Sequence, residues 1–404
     1  MALDRRWPDA LIVLSLCIMI FTLPFSKSMV EICFIACLIF WVLKRLLSYG
    51  TPTLASVNLL FKPVLTDLNL PIYLFILAGM FSMSAGVSIS LSFEGFFLKL
   101  LENVILFFII VESINDRKRI NIILVAMLSS VALISCDGIF QFLSGRDFLR
   151  GYIFNGKIRA SFSNSNGLGG YITAVIPIVL SIGLMVKNGW SRLHVKILAW
   201  VLISVLMFCL ILTYSRGAWI ASIMSIILFS ALKSRRFFVI TVIVLIFLLF
   251  ILPNSAKIHA NSIGRISDFS RVSLWQEAVA IIEDFPVFGT GLNTYSLVAP
   301  HYKIGEQGGT YPHNSYLQMA AETGLVGLAA FLWIIFRLAK TSLGKLKNIK
   351  DKFYNYIIKG LIAGLFGFLI HSFFDVNFYS FQLVILMWFI MGLSVAIQRV
   401  ALNS

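Results

Sequence analysis

Residues 195–233, which read VKILAWVLISVLMFCLILTYSRGAWIASIMSIILFSALK, decide the fold. They consist of two apolar runs with a short polar break between them. The runs cover 195–213 and 217–233, and about 20 apolar residues suffice for a helix to cross the hydrocarbon core of a bilayer. Each run therefore predicts a transmembrane helix. The break, TYSRG at 213–217, leaves Arg216 at the membrane surface.

The rest of the chain has the same character. Of 404 residues, 59% are hydrophobic and 13% charged, and the mean hydropathy is +0.92, whereas an average soluble domain is about 25% charged. The sequence predicts an all-α, polytopic integral membrane protein of about twelve transmembrane helices, with one larger periplasmic loop carrying short helices. The twelve predicted spans are 10–26, 29–47, 70–88, 96–112, 120–143, 167–186, 195–213, 217–233, 237–253, 316–339, 355–374 and 378–398.

The basic residues indicate how the spans are oriented. A net charge of +15 would favour nucleic-acid binding in a soluble protein, but here the charges must first be sorted by side of the membrane. Basic runs such as Arg117–Arg119 recur at every second loop, so a cytoplasmic N-terminus places most of the 33 Lys and Arg residues inside and ten outside. We expect a multi-pass protein of the bacterial inner membrane that contacts membrane lipids and no nucleic acid.

Five segments follow from this topology. The first apolar run leads straight into further spans, so we expect it to be retained as an anchor rather than cleaved as a signal. The five cysteines all lie in apolar runs, and Cys33 and Cys37, four residues apart, are interpreted as packing residues rather than metal ligands. The predicted segments are 1–143 (spans 1–5), 144–166 (first long periplasmic loop), 167–253 (spans 6–9), 254–315 (large periplasmic loop) and 316–404 (spans 10–12).

Most of the outer basic residues lie in or beside the two long loops. Arg216 allows two interpretations: its side chain snorkels to lipid headgroups, or Ser215 caps the next helix so that free amides and the guanidinium bind one anion, such as a lipid diphosphate. The outer basic residues are Arg146, Arg150, Lys157 and Arg159 in the first loop, Arg216, then Lys257, Arg265, Arg271 and Lys303 in the second, with Lys27 apart.

The large loop predicts a short amphipathic helix from Arg271 to Asp284 that ends before Pro286. Ser270 would cap it and Arg271 would open it, which repeats the arrangement at Arg216. A simpler interpretation is an arginine on a solvated helix face, although a set of outer guanidiniums favours phosphate binding. One side of this helix would carry Val272, Trp275, Ala278, Val279 and Ile282.

His313 is the candidate base, next to Asn314 at the mouth of the tenth span. A lone histidine there is often structural, but imidazole suits proton transfer near neutral pH. Glu322 lies within the same span, where an acid is costly and therefore usually paired or functional. Gly324 and Gly327 are interpreted as small residues that let another helix approach, and His371 and Asp375, one turn apart, form a second possible polar pair.

Taken together, these motifs resemble the O-antigen ligase and O-antigen polymerase superfamily of bacterial surface-polysaccharide membrane glycosyltransferases, and an O-antigen ligase most closely. The resemblance covers about residues 150–380. Its motifs are RASFSNSNG at 159–167, SRG at 215–217, RVSLW at 271–275 followed by PVFGTG at 286–291, the His313–Asn314 to Gly327 pattern, and His371 to Asp375.

The resemblance implies a metal-independent, inverting glycosyltransferase that needs no cofactor and acts on glycan carried by undecaprenyl diphosphate. By that analogy Arg216 and Arg271 hold the diphosphate and His313 deprotonates or orients the acceptor hydroxyl. Further substrate-binding positions are expected at Arg159, Arg265, Asn166, Asn314, Glu322 and Asp375. For a ligase the resemblance implies lipid A-core as the acceptor, and the compact outer loop leaves little room for a large acceptor-binding domain.

Several activities remain open from the sequence. A ligase transfers the polymer to the lipid A-core, whereas a polymerase joins one lipid-linked glycan to another, and a protein O-oligosaccharyltransferase is a lesser alternative. A non-catalytic polysaccharide transporter is the alternative from another class. Transporters often place charges near the midplane of the membrane, and the polar residues here gather at one face, which favours an enzyme.

Overall fold

The computed structural model describes residues 7–49, 63–185, 193–251, 264–304 and 310–403. Within these ranges the chain is almost entirely helical, and the only β-pairing is one bridge between Arg146 and Ile153. The helices are α1 Trp7–Thr22, α2 Lys27–Tyr49, α3 Asn69–Ala85, α4 Ile89–Gly95, α5 Glu102–Ser113, α6 Arg117–Ser144, α7 Ser165–Gly183, α8 Leu193–Leu212, α9 Arg216–Lys233, α10 Arg235–Ile251, α11 Gly264–Asp284, α12 Tyr295–Val298, α13 Ser315–Leu346, α14 Lys352–His371 and α15 Phe381–Asn403.

The all-α polytopic membrane fold is confirmed. Each of the twelve predicted spans falls on helix, and in the described part of the chain seven helices are long and apolar enough to cross a membrane, with α1 and α3 as shorter apolar helices. The fourth predicted span, 96–112, consists of a π-helical segment, Phe96–Leu101, and α5, and α4 leads directly into it. The seven are α6, α7, α8, α9, α13, α14 and α15.

The helix of the large loop differs from its prediction. Its end at Asp284 is as expected, but α11 begins at Gly264, so Arg271 lies two turns inside the helix and Ser270 is not its cap. Its buried face is also shifted, because Leu274, Ala278 and Ile281 are buried while Val272 and Val279 are exposed.

Helix α7 is the centre of the packing, with almost its whole length buried. It contacts α14, α8 and α9, and α14 also contacts α9 and α15, while α1 packs on α2 and α6. The close approach of α14 to α7 depends on Gly364, where an added Cβ would lie 2.1 Å from the Ala174 carbonyl oxygen. The sequence predicted that Gly324 and Gly327 let another helix approach closely. In the structure Gly364 on α14 has this role.

Gly324 itself has a different function in the fold. Its φ of 68° and ψ of 178° interrupt α13, a conformation essentially restricted to glycine. An added Cβ would lie 2.0 Å from the Val287 carbonyl oxygen, so the residue contacts the loop after α11 and not a neighbouring helix. The interrupted turn allows Leu325 N to donate to Pro286 O at 2.8 Å, which ties this loop to α13.

Candidate active site

The N-termini of α7, α9 and α13 meet the C-terminus of α14 at one end of the bundle. An added Cβ at Gly170 of α7 would lie 2.9 Å from His371 Nδ1, and one at Gly217 of α9 would lie 2.6 Å from Phe374 Cβ. The start of α13 joins the same group, because Ser315 N donates to Ser372 O at 2.8 Å. Three helix N-termini, each the positive end of a helix dipole, therefore converge on the turn that follows α14.

His313 and Asp375 form a hydrogen-bonded pair at this meeting point. His313 Nδ1 lies 3.1 Å from Asp375 Oδ1, with the His313 side chain 47% exposed and that of Asp375 10% exposed. Ser315 holds the turn in place, since its hydroxyl donates to the Asp375 carbonyl oxygen at 2.8 Å. A carboxylate at Nδ1 fixes the tautomer in which Nε2 is unprotonated and able to accept a proton.

Asp375 is suited to stay ionised in this pair. Burial raises the pKa of Asp375, but the hydrogen bond from His313, the charge of the nearby His371 ring and the Val376 backbone N–H together outweigh it, and the pKa lies below the ordinary range of an aspartate. The sequence analysis paired Asp375 with His371 instead. His371 is fully buried, and its Nδ1 accepts a hydrogen bond from Asn377 Nδ2 at 2.9 Å.

Backbone strain marks the same region. Four described non-glycine residues have positive φ, and three of them adjoin predicted site residues: His313 itself at 47°, Ala160 next to Arg159 at 46°, and Tyr214 beside Ser215 and Arg216 at 52°. Left-handed backbone in such residues is strained and tends to persist at functional sites. The strain is therefore an independent indication that this end of the bundle is functional.

Arg216 is the first residue of α9, as the sequence predicted. Ser215 occupies the N-cap position, but its side chain makes no capping hydrogen bond, so the expected hydroxyl cap is wrong. The neighbouring Gly217 packs directly on Phe374, which places the start of α9 beside Asp375.

Arg271 approaches the site from α11. It is half-buried, and its charge is close enough to act on the buried His371 ring. The backbone of Arg265 lies in the first turn of α11, whereas its side chain is outside the described residues. The two arginines predicted to hold one diphosphate therefore come from two different helices, α9 and α11.

A comparison with known proteins is consistent with this arrangement. A family model described as O-antigen ligase matches residues 200–332. The resemblance to the O-antigen ligase superfamily is confirmed over this stretch. No curated protein matches the chain.

The match supports a multi-pass membrane protein of the lipid-linked glycan ligase or polymerase kind. Its range contains Arg216, Arg271 and His313, whereas Asp375 lies beyond it. The carboxylate that orients the histidine thus comes from outside the stretch that carries the O-antigen ligase match.

Arg159 and Asn166 lie on the α7 side of the site, before the match begins. The Arg159 guanidinium stacks on Tyr152 at 4.1 Å and donates to Ser163 O at 3.0 Å. Ile158 N donates to Leu212 O at 3.1 Å, which brings the Arg159 loop against the end of α8, shortly before Arg216. Asn166 is half-buried in the first turn of α7.

Two residues that hold the Arg159 loop were not predicted. Gln141 Oε1 accepts hydrogen bonds from Arg159 N at 2.8 Å and Ala160 N at 2.9 Å, and Asp137 Oδ2 accepts one from the Ser161 hydroxyl at 3.0 Å. Both lie on α6, where the only sequence signal was a polar residue inside an apolar span.

Asn314 and Glu322 have structural partners in the O-antigen ligase-like region. Asn314 caps α13, accepting from Tyr316 N at 3.0 Å and Leu317 N at 3.2 Å. Glu322 is buried two turns further along and accepts from Asn293 N at 2.9 Å and Tyr295 N at 3.2 Å. Glu322 is therefore separated from the His313–Asp375 pair, and the substrate-binding roles of both residues stay predictions.

Among the described residues, no group of three or more His, Cys, Asp or Glu side chains is placed to hold a metal ion. The polar groups at this end of the bundle are instead guanidiniums, helix N-termini and one histidine–carboxylate pair. Such groups can bind an anion and accept one proton.

Proposed function

We propose that this protein is an O-antigen ligase, which transfers polysaccharide from undecaprenyl diphosphate to a lipid A-core sugar at the periplasmic face of the inner membrane. The observation that carries the proposal is the His313–Asp375 pair between the helices that bear Arg216 and Arg271. A base and an anion site in one place match the two requirements of glycosyl transfer from a lipid diphosphate.

In the proposed reaction the acceptor hydroxyl attacks the anomeric carbon of the donor glycan. The new C–O bond forms as the bond to the diphosphate oxygen breaks, and the leaving group takes the electron pair with inversion of configuration. His313 Nε2 accepts the hydroxyl proton, and Asp375 stabilises the imidazolium that results. Arg216 and Arg271 stabilise the charge that develops on the departing diphosphate.

An O-antigen polymerase is the main alternative, because the family match and the site chemistry fit both reactions. The two differ only in the acceptor, which is lipid A-core for the ligase and a second lipid-linked glycan for the polymerase. A protein O-oligosaccharyltransferase, which would use the same donor and site, and a non-catalytic polysaccharide transporter are lesser alternatives.

The lipopolysaccharide profile of a deletion strain tests the proposal. Loss of a ligase leaves bare core, with polymer stranded on undecaprenyl diphosphate. Loss of a polymerase leaves core capped with a single repeat, and that result would replace the ligase proposal with its main alternative. A normal profile would contradict both.

Plasmid rescue with arginine variants tests the diphosphate site. Arg216→Lys and Arg271→Lys keep the charge but remove the planar bidentate donor, so we expect roughly tenfold slower transfer or worse. Arg337→Lys, towards the other end of α13, is the matched control and should rescue fully. Normal turnover of both site variants would show that bidentate diphosphate binding is the wrong explanation.

A further inference from the structure

The loop between α6 and α7 begins with a short folded hairpin, residues 145–154, at the same end of the bundle as His313. Helix α6 ends at Ser144, and Gly145 terminates it with a left-handed φ of 79°. Arg146 and Ile153 then form an antiparallel bridge, and Phe154 N donates to Gly145 O at 2.9 Å. The hairpin therefore begins directly at the end of a membrane-spanning helix.

The hairpin is rigid because its polar groups are used internally. The buried Asp147 carboxylate accepts from the backbone N–H groups of Leu149 at 3.1 Å and Arg150 at 2.6 Å, and also from that of Tyr152. From α6, Gln141 Nε2 donates to Tyr152 O at 2.9 Å. The only carboxylate of the hairpin is thus turned inward, away from its surface.

Its outward surface is apolar. Phe148 is 46% exposed, Leu149 40% and Ile153 56%, and Leu143 in the last turn of α6 is 76% exposed. The Phe148 ring packs edge-on against Phe140, one turn back along α6, at 5.5 Å between centroids, so this side chain turns back towards the apolar part of the helix. A preformed loop with large apolar side chains outward is typical of a surface that inserts into another apolar phase.

Basic side chains border this apolar surface. Arg146 and Arg150 are exposed, and Arg150 donates to the Phe25 carbonyl oxygen at 2.5 Å, which ties the hairpin to the turn between α1 and α2. Lys27, which the sequence left isolated, is the first residue of α2, two residues after Phe25, and is also exposed. Apolar side chains with cations beside them match the interface of a bilayer, where acyl chains end and phosphates begin.

We propose that the hairpin 145–154 is embedded in the headgroup layer of the bilayer, with Phe148 and Leu149 among the acyl chains and Arg146 and Arg150 bound to anionic phospholipid phosphates. This surface does not depend on the reaction that the protein catalyses. Bilayer phospholipid is its occupant because the surface combines exposed apolar groups with positive charge and lies at the end of a spanning helix.

Photo-crosslinking in nanodiscs tests this proposal. The full-length protein would carry p-benzoyl-phenylalanine in place of Leu149, in discs of phosphatidylcholine and phosphatidylglycerol, with Glu283, exposed on α11, as the control position. Mass spectrometry should find phospholipid adducts at 149 and few at 283. Equal adduct yields at the two positions, or a cross-link mainly to a second copy of the chain, would overturn the proposal.

The lipid composition of the adducts tests whether the basic side chains bind phospholipid phosphates. One cation beside the headgroups enriches anionic lipid roughly fivefold, so the adducts at 149 should contain more phosphatidylglycerol than the disc as a whole. Arg146→Gln should move that ratio towards the bulk composition without changing the total yield, and size-exclusion chromatography checks folding. An unchanged ratio would exclude phosphate binding by Arg146.

Discussion

Two polar centres lie on the same stretch of chain, one at the mouth of α13 and one two turns inside it. His313 is half-exposed, has a strained backbone and is bonded through Nδ1 to one carboxylate. Glu322 is fully buried, and its two carboxylate oxygens accept from Asn293 N, Tyr295 N and Gln318 Nε2.

The difference shows that the free-energy cost of placing a polar residue does not by itself identify a candidate catalytic group. Both residues are expensive to place, His313 through backbone strain and Glu322 through burial. For Glu322, hydrogen bonds to the 289–295 loop offset the cost of burial. The hydrogen-bonding capacity of its carboxylate is therefore used within the fold. In His313 one ring nitrogen stays available, which is the property that proton transfer needs.

The largest expected effect is on turnover when His313 is removed. His313→Ala should lower glycan transfer roughly 10²–10⁴-fold, because a positioned base contributes about that much. The measurement is transfer by purified protein in proteoliposomes containing the lipid-linked donor and the acceptor.

His313→Asn is the control for the backbone, since asparagine tolerates the left-handed conformation. It should insert and fold like the wild type and be as inactive as the alanine variant. Full activity of either variant would remove His313 from the catalytic role and erase the contrast with Glu322.

The next effect is expected at Asp375. Asp375→Asn keeps the shape but removes the charge that orients His313 and stabilises its imidazolium, so turnover should fall on the order of 10²-fold. The same transfer assay measures it, with the binding of the donor expected to change less than the rate.

The stability of the same variant has a pH signature. A carboxyl whose folded pKa is depressed adds stability that is present above the ordinary Asp pKa of about 3.9 and is lost as the pH falls through the lower folded value. Below about pH 4 the wild type should therefore lose the part of its thermal stability that the Asp375 carboxylate supplies. The Asp375→Asn variant lacks this part at every pH. Parallel pH curves for the two proteins would contradict the assigned His313–Asp375 hydrogen bond.

Much of the fold could be predicted from sequence because apolar length is a local property. The spans, the end of α11 before Pro286 and Arg216 at the start of α9 all follow from runs of residues and from helix-ending signals. The start of α11 could not be predicted, because the residues before Arg271 mix glycine, polar and apolar types, and glycine is a poor helix former.

The members of the site could be named from sequence, but not their pairing. His371 and Asp375 are one turn apart, which suggested a pair, yet the chain leaves α14 in a turn that points Asp375 to His313, 62 residues earlier. Gln141 and Asp137 were missed because their partners are backbone and hydroxyl groups of a loop folded over α6. Contacts of this kind depend on tertiary structure and have no sequence period.

Another prediction concerns the break in α13 at Gly324, two residues after Glu322. Gly324→Ala would place a Cβ 2.0 Å from Val287 O at a φ of 68°, so it should destabilise the protein by more than the roughly 1–3 kcal/mol of backbone strain alone. Thermal unfolding in detergent measures the change. Gly344→Ala on the same helix has no neighbour within 4 Å and should be neutral or slightly stabilising, so equal losses in both variants would mean that the break has no special role.

The smallest effect is expected at Glu322, and it tests the comparison most directly. Glu322→Gln keeps one acceptor oxygen but weakens the hydrogen bonds to Asn293 N and Tyr295 N, which should cost about 0.5–1.5 kcal/mol of stability per bond affected. Turnover at a temperature where the protein is folded should stay near that of the wild type.

Glu283→Gln, at an exposed position on α11, is the matched control, and its free energy of unfolding should stay within about 0.5 kcal/mol of that of the wild type. A Glu322→Gln variant with normal thermal stability and lost turnover would instead support the substrate-binding role predicted from sequence, and both centres of α13 would then belong to one site.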